Sequence, residues 1–192
     1  GYGFCPIGAR EKTDEEKAAS EDADGTQTDW TSDEFTGVLD GNGHTITGLR
    51  INGETPYKDV GLFARIEGGQ VSNITFKDTD IEVGTASVRV GTLAGYVNEN
   101  PDTVRPAVIS NITTYGKIYM TAGEEIVTQN VALGGVVGYF GNASLTNAIN
   151  YADVFYYTNE QEKPDGSCSR FLAGVAGYLD NGGIIEKCSN HG

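Results

Sequence analysis

Leucine and methionine are scarce, with 8 Leu and 1 Met in 192 residues, whereas Val, Ile and Thr together supply 47. That balance favours strands over helices. No run of about 18 apolar residues occurs, so the chain has no membrane-spanning helix. Basic residues are outnumbered, 13 Lys and Arg against 27 Asp and Glu, for a net charge of -14. A surface that acidic repels phosphate backbones and anionic lipid heads, which excludes nucleic acid as a natural partner and gives no reason for membrane insertion. The three cysteines, Cys5, Cys168 and Cys188, share no CxxC or similar spacing, so neither a disulfide framework nor a metal cluster is expected. His44 and His191 are the only histidines and HExxH is absent, so no metal site or cofactor is expected from these residues. No basic, then apolar leader opens the chain, and any export signal is expected to have been removed or to lie upstream. Glycine, by contrast, is plentiful at 27, about twice average usage.

What is present is a repeat. The segments 60-VGLFARI-66, 90-VGTLAGYV-97, 133-LGGVVGYF-140 and 172-LAGVAGYL-179 resemble one another. They are followed by 71-VSNITF-76, 109-ISNITT-114, 145-LTNAIN-150 and 185-IEKCSN-190. A fifth copy lies in 35-FTGVLDGNGHTITGLRI-51, aligning Phe35 with Val60, Val38 with Phe63, Ile46 with Val71, Leu49 with Ile74 and Ile51 with Phe76. The second elements then recur at intervals of 25, 38, 36 and 40 residues. The shortest interval reads as one bare rung, and the longer ones as rungs carrying the polar stretches 98–106, 121–130 and 158–167.

Four columns stay apolar in all five copies. They are Phe35, Val60, Val90, Leu133, Leu172; then Val38, Phe63, Leu93, Val136, Val175; then Ile46, Val71, Ile109, Leu145, Ile185; and Leu49, Ile74, Ile112, Ala148, Cys188. Such consistency is what stacked units require, because each must cover its neighbour's apolar face. Short, glycine-punctuated, β-branched units predict an all-β chain, a right-handed parallel β-helix (solenoid) of about five rungs with polar loop insertions.

The residues 35-FTGVLDGNGHTITGLRI-51, with 59-DVGLFARI-66 and the runs 90-VGTLAG, 134-GGVVG and 173-AGVAG, resemble GLUG-motif repeats. These occur in bacterial surface proteins and in the amino-terminal regions of secreted zinc metallopeptidases that cleave immunoglobulin A. The resemblance covers about residues 35–192 and implies an extracellular setting, at the bacterial cell surface or secreted. The segment 4-FCPIG-8 is similar to the one that precedes FTG in such proteins. The expected division is therefore 1–34, the start of an upstream rung plus an acidic insertion loop, and 35–192, a single domain of GLUG-type repeats expected to be part of a longer solenoid.

The insertion 9–34 carries ten acids against Arg10, Lys12 and Lys17, half of the total net charge. Thr13 and Glu16 form a capping box, which predicts a short helix from Asp14 to Ser20. Asp22 and Asp24, followed by Gly25, offer calcium ligands, but the twelfth position of that frame is Thr31 rather than Glu, so a solvated loop is the favoured reading. Asn73, Asn111 and Asn147 share a column, completed by Gly48 and Lys187, and stacked amides there form a structural ladder. Tyr96, Tyr139 and Tyr178 align beneath Ile66, each after a glycine. They form a strip that would bind sugar by stacking, or would hold rungs together. Cys188 falls in an apolar column and reads as a buried thiol; a Cys168–Cys188 bridge would need it to point outward.

Function follows from these columns. Asp40 and Arg65 are expected as cross-rung neighbours and no outward column gathers acids, so no catalytic residues are assigned and the chain reads as a non-enzymatic stalk, adhesin or ligand-binding module. Its expected partners are a host or bacterial surface protein or a glycan, with end-to-end self-association through the Ile185 and Cys188 face. The alternatives are a carbohydrate-active β-helix enzyme, either a lyase or a hydrolase, and an accessory region of a secreted metallopeptidase.

Overall fold

A computed structural model describes residues 3–19, 30–52, 55–84, 88–121, 130–157, 169–180 and 182–192. Among the described residues the fold is all-β apart from one short helix, and the three large sheets are parallel. The first sheet comprises Asp59–Val60, Arg89–Gly91, Val131–Gly134 and Arg170–Ala173. The second comprises Glu34–Phe35, Phe63–Glu67, Ala94–Asn98, Val137–Phe140 and Ala176–Leu179. The third holds the long strands Gln70–Val83, Ala107–Thr121 and Ala143–Tyr157. Before them come Val38–Asp40, Thr45–Thr47 and Arg50–Ile51, and after them Ile184–Glu186 and Ser189–Asn190. In each sheet the neighbours follow chain order, so every repeat lies directly on the one before.

Two residues turn the chain from the first sheet to the second, as at Thr92–Leu93 and Gly135–Val136. The corner is so narrow that the two backbones touch. A Cβ on Gly95 or Gly138 would run into the backbone at Val60 or Val90. That contact, rather than access to a ring face, is why glycine precedes Tyr96 and Tyr139.

Three of the four expected apolar columns hold through the later repeats. Val60, Val90, Leu133 and Leu172 are in register, as are Val71, Ile109, Leu145 and Ile185, and Ile74, Ile112 and Ala148. Val71, Ile109 and Leu145 are at most 1% exposed. Burying such a side chain stabilises by about 1.5–3 kcal/mol, and one column repeats that gain at every level.

The first repeat sits in a different register from the one its sequence suggests. Phe35 pairs with Ile66 rather than Val60, and Val38 pairs with Gln70 and is exposed. Leu39 takes the place beside Val71, while Ile46 and Ile51 pair with Phe76 and Ile81. The interval from Leu39 to Val71 is thus 32 residues, not 25. The spacing 46, 49, 51 fits 71, 74, 76 and 76, 79, 81 equally well, and Leu39 decides between them. The 60–66 segment also turns its corner one residue early. Phe63 therefore pairs with Ala94, and Arg65, not Ile66, stands in the tyrosine column.

The acidic segment leaves and returns at one point. Ile7 bridges Phe63, Glu34 pairs with Arg65, and the Asp33 N–H donates to the Gly8 carbonyl at 2.9 Å. Inside the excursion, Ala9–Glu11 pairs antiparallel with Trp30–Ser32. The helix Asp14–Ala19 carries the expected capping box, with Thr13 N donating to Glu16 Oε2 at 2.7 Å and Glu16 N to Thr13 Oγ1 at 3.2 Å. Ser20, Asp22 and Asp24 lie outside the described residues, as do Cys168 and most of 121–130 and 158–167.

Candidate functional site

A pocket of about 190 Å³ opens where this excursion folds back on the first and second sheets. Its walls are Lys12, Trp30, Thr31 and Ser32 from the excursion, and Tyr57, Lys58, Asp59, Arg65 and Arg89 from the repeats. Asp59 and Arg89 face each other across adjacent strands, and the guanidinium grips the carboxylate through two nitrogens, Nη2 to Oδ2 at 3.0 Å. Asp59 is 2% exposed. Burial pushes its carboxyl above the ordinary carboxylate range, against the pull of Arg89 and Arg65. Arg65 donates to Glu67 Oε1. Burial disfavours its charge, yet Asp59 and Glu67 outweigh that and raise its pKa.

Both guanidiniums lie over one ring. The Arg65 and Arg89 carbons are 4.4 and 4.7 Å from the Tyr96 centroid, within reach for attraction to the ring quadrupole. Trp30 meets Tyr57 edge to face at 4.9 Å, so the excursion is anchored to the repeats by aromatic packing. A second clamp lies outside the pocket, where Arg10 donates to both Asp33 and Glu16.

The tyrosine strip exists as a stack. Tyr96 and Tyr139 are 4.7 Å apart and 9° from parallel, and Tyr139 and Tyr178 are 5.6 Å apart and 18° from parallel. These rings face one another, and Arg65 covers Tyr96 as well. The faces that the rings turn toward one another are closed to a ligand, whereas Tyr178, at the end of the stack, is 37% exposed. Tyr139 donates to Asp180, and burial followed by that bond raises its pKa well above the usual phenol value.

The asparagine column is hydrogen-bonded end to end. Asn147 Nδ2 donates to Asn111 Oδ1 at 3.1 Å, Asn111 Nδ2 to Asn73 Oδ1 at 2.8 Å, and Asn73 Nδ2 to Asp40 Oδ1 at 2.8 Å. The three asparagines and Lys187 have φ between 53° and 60°, a left-handed geometry that asparagine tolerates better than most residues. Gly48 is not in this column, since it bonds to Lys77. Asp40 ends the ladder instead, its pKa lowered by Asn73 and then by the Asn42 N–H. Asp40 is therefore not the partner of Arg65.

Sequence reasoning missed four further ladders. Inside the stack, fully buried Asn150 accepts from Thr114 Oγ1 at 2.6 Å and donates to Asn190 Oδ1 at 2.8 Å. A Cβ on Gly135 would collide with its amide, so the corner glycine and the buried amide require each other. On the outer face of the third sheet, Tyr115, Tyr151 and His191 stack at 4.6 and 4.9 Å, and Tyr119 and Phe155 at 5.0 Å. Arg50, Asp80, Lys117 and Asp153 follow in register with alternating charge. The 36-residue separation of Tyr115 from Tyr151, equal to the repeat interval, was the available signal.

Cys188 is half-buried rather than buried, and accepts from the Ala148 N–H at 3.3 Å. Among the described residues no three metal-ligating side chains cluster, and no helix is long and apolar enough to cross a membrane.

Neither a protein-family model nor a solved structure matches the chain. Part of it is similar to Halomucin of Haloquadratum walsbyi (strain DSM 16790 / HBSQ001), 33% identical over 105 residues. That stretch is 54% of this chain but 1% of Halomucin, so the chain spans only a small fraction of the relative it resembles.

Proposed function

We propose that the chain is a right-handed parallel β-helix of GLUG-type repeats, serving as a non-enzymatic stalk, adhesin or ligand-binding module of a bacterial surface or secreted protein. Parallel strands joined by crossovers are right-handed in nearly all proteins. The observation that supports the reading best is the use made of repeated outward residues. They bond along the stack, as amide to amide, ring to ring and acid to base, instead of converging on a cleft. The likeness to a stretch of Halomucin is compatible with an extracellular setting. Partly exposed Leu172, Leu179 and Ile184 on the last repeat support contact with a further copy or partner at that end.

One observation favours a carbohydrate-active enzyme. Asp80, Glu82 and Asp153 share the outer face of the third sheet. Asp80, however, lies 3.2 Å from Lys117 Nζ and 3.7 Å from Arg50. Glu82 accepts from Tyr119 Oη and Thr121 Oγ1, both at 3.2 Å. Asp80 and Glu82 are thus engaged by residues of the neighbouring strands. Incubation of the purified chain with acidic and neutral polysaccharides is expected to release no reducing or unsaturated ends. Release that Asp80→Asn abolishes would make the chain an enzyme.

A further inference from the structure

We infer that the chain stacks head to tail on a second copy of itself, the first repeat of one copy lying on the last repeat of the other. The inference deepens the surface-module reading by naming the partner at the last repeat, and rests on it only for treating that end as a contact surface.

The apolar columns carry the first argument. Phe35, Ile66, Val97, Phe140 and Leu179 form one column of the second sheet. Its three middle members are 0% exposed, whereas Leu179 is 50% exposed and Phe35 is half-buried. Leu39, Val71, Ile109, Leu145 and Ile185 behave alike in the third sheet, buried in the middle and half-buried at each end. Each column thus stops at both ends on an apolar side chain without the cover its inner members have. A second copy placed one strand spacing beyond the last repeat, about 4.8 Å, sets Phe35 over Leu179 and Leu39 over Ile185. Val38 and Ile184, both exposed, meet in the same register. Covering such side chains is the main favourable term in protein association. The strand edges at the two ends also run the same way, so the parallel pairing of the second and third sheets continues across the contact.

The asparagine ladder gives the contact a direction. All its amide bonds point one way, Asn147 donating to Asn111, Asn111 to Asn73 and Asn73 to Asp40. The ladder therefore ends on a carboxylate in the first repeat and starts, in the same left-handed column, at exposed Lys187 in the last. A head-to-tail neighbour brings that ammonium donor to an Asp40 acceptor. Glu186 falls in the Asp40 column, so Lys187 is what makes the meeting attractive. A tail-to-tail pair would leave Asp40 outside the contact.

The outlines of the two ends interlock. Gly3 bridges Ile51 on the edge opposite Ile81, and the Phe4 N–H donates to the Arg50 carbonyl at 2.7 Å. Residues 3–4 therefore project one strand beyond the first repeat. At the other end the last repeat pairs with the third sheet only as far as Asn190. Past that point a groove of about 390 Å³ opens over residues 152–155, walled by Leu172, Ala173 and Gly174. Arg50 and Ile51 share their columns with Asp153 and Val154. The stacked copy thus lays its projecting residues 3–4 in that groove.

The contact joins two different surfaces and repeats along one axis, so it does not close at a dimer. The test is sedimentation velocity and light scattering of the full chain across a dilution series, read beside circular dichroism and melting curves. The expected result is a mass that rises with concentration past the dimer. Lys187→Glu, and separately Leu179→Asp with Ile184→Asp, should weaken association about tenfold or more while the melting midpoint stays near that of the parent chain. Adding Asp40→Lys to Lys187→Glu should restore association, because the exchanged charges still oppose. If that double variant does not fold, Val38→Asp provides the comparison and should weaken association from the first-repeat side. A monomer at every concentration, association that stops at a dimer, indifference to the substitutions in folded variants, or no recovery in a folded charge-exchanged variant would each overturn the inference. Such a failure leaves the β-helix module reading untouched, because that reading is checked by the polysaccharide incubation.

Discussion

The outer face of the third sheet and the corner pocket use the same kinds of residue, arginine, lysine, aspartate and tyrosine, in opposite ways. On the sheet, Lys117 answers Asp80 one level down, and Tyr151 answers Tyr115. The polar groups there recur with the repeat and satisfy one another along the axis. At the corner, Asp59, Arg65 and Arg89 meet across two sheets and an excursion, and none of the three recurs. A repeated polar residue is accounted for by its own copies, whereas an unrepeated one in a repeat protein calls for another explanation.

Three measurements would break or sharpen this contrast. The largest effect is expected in the apolar columns that both regions share. Ile109→Ala, fully buried in mid-stack, should cost about 2–5 kcal/mol in urea unfolding. Ile185→Ala, half-buried on the last repeat, should cost about 1 kcal/mol; equal losses would show that the two levels are packed alike. Next come the two amide ladders. Asn150→Ala strands buried partners and should cost about 1–3 kcal/mol. Asn111→Gly keeps the left-handed backbone while removing exposed ladder bonds, and should cost about 1 kcal/mol or less. If the exposed ladder proves the dearer one, repetition rather than burial sets the value of these bonds.

The smallest effect concerns the clamp on the excursion. Glu16 is lowered from 4.5 to about 2 by its bond from Arg10 and then by the Thr13 N–H. A depressed carboxylate stabilises above its unfolded pKa and loses that contribution as pH falls through its folded value. The clamp should therefore be complete above pH 4.5 and release toward pH 2. Hydrogen exchange at the Lys17 amide should speed up in that window while exchange at Ile109 does not, and parallel loss at both sites would mean that the excursion and stack melt together.

The columns through Val71, Ile109 and Leu145 were legible because their spacing is nearly regular and their residue type does not change. The first repeat was not, since its 3-then-2 spacing fits two registers and only the position of Leu39 separates them. The asparagine ladder could be read because identical residues recur in one column; its Asp40 end depended on the shifted register and could not. Tyr96, Tyr139 and Tyr178 were found as a strip, but that the faces they turn to one another are closed follows from distances of 4.7 and 5.6 Å, which spacing alone does not give. In the pattern the pocket shows only as residues that do not recur, Asp59, Arg65 and Arg89. Lys12 precedes Lys58 by 46 residues and Trp30 precedes Tyr57 by 27, and they meet because a strand is interrupted and resumed.

That interruption has a consequence for how such a protein changes over time. Gly8 and Asp33 are hydrogen-bonded neighbours, so the backbone of the stack closes on itself across the splice, and Trp30 on Tyr57 is the side-chain anchor that the spliced segment adds. Closing a longer loop over the same span costs only about 0.6 kcal/mol for each doubling of its length. A scaffold with such a doorway can exchange the segment it displays, and with it half of a pocket wall, while every rung beneath stays as it was.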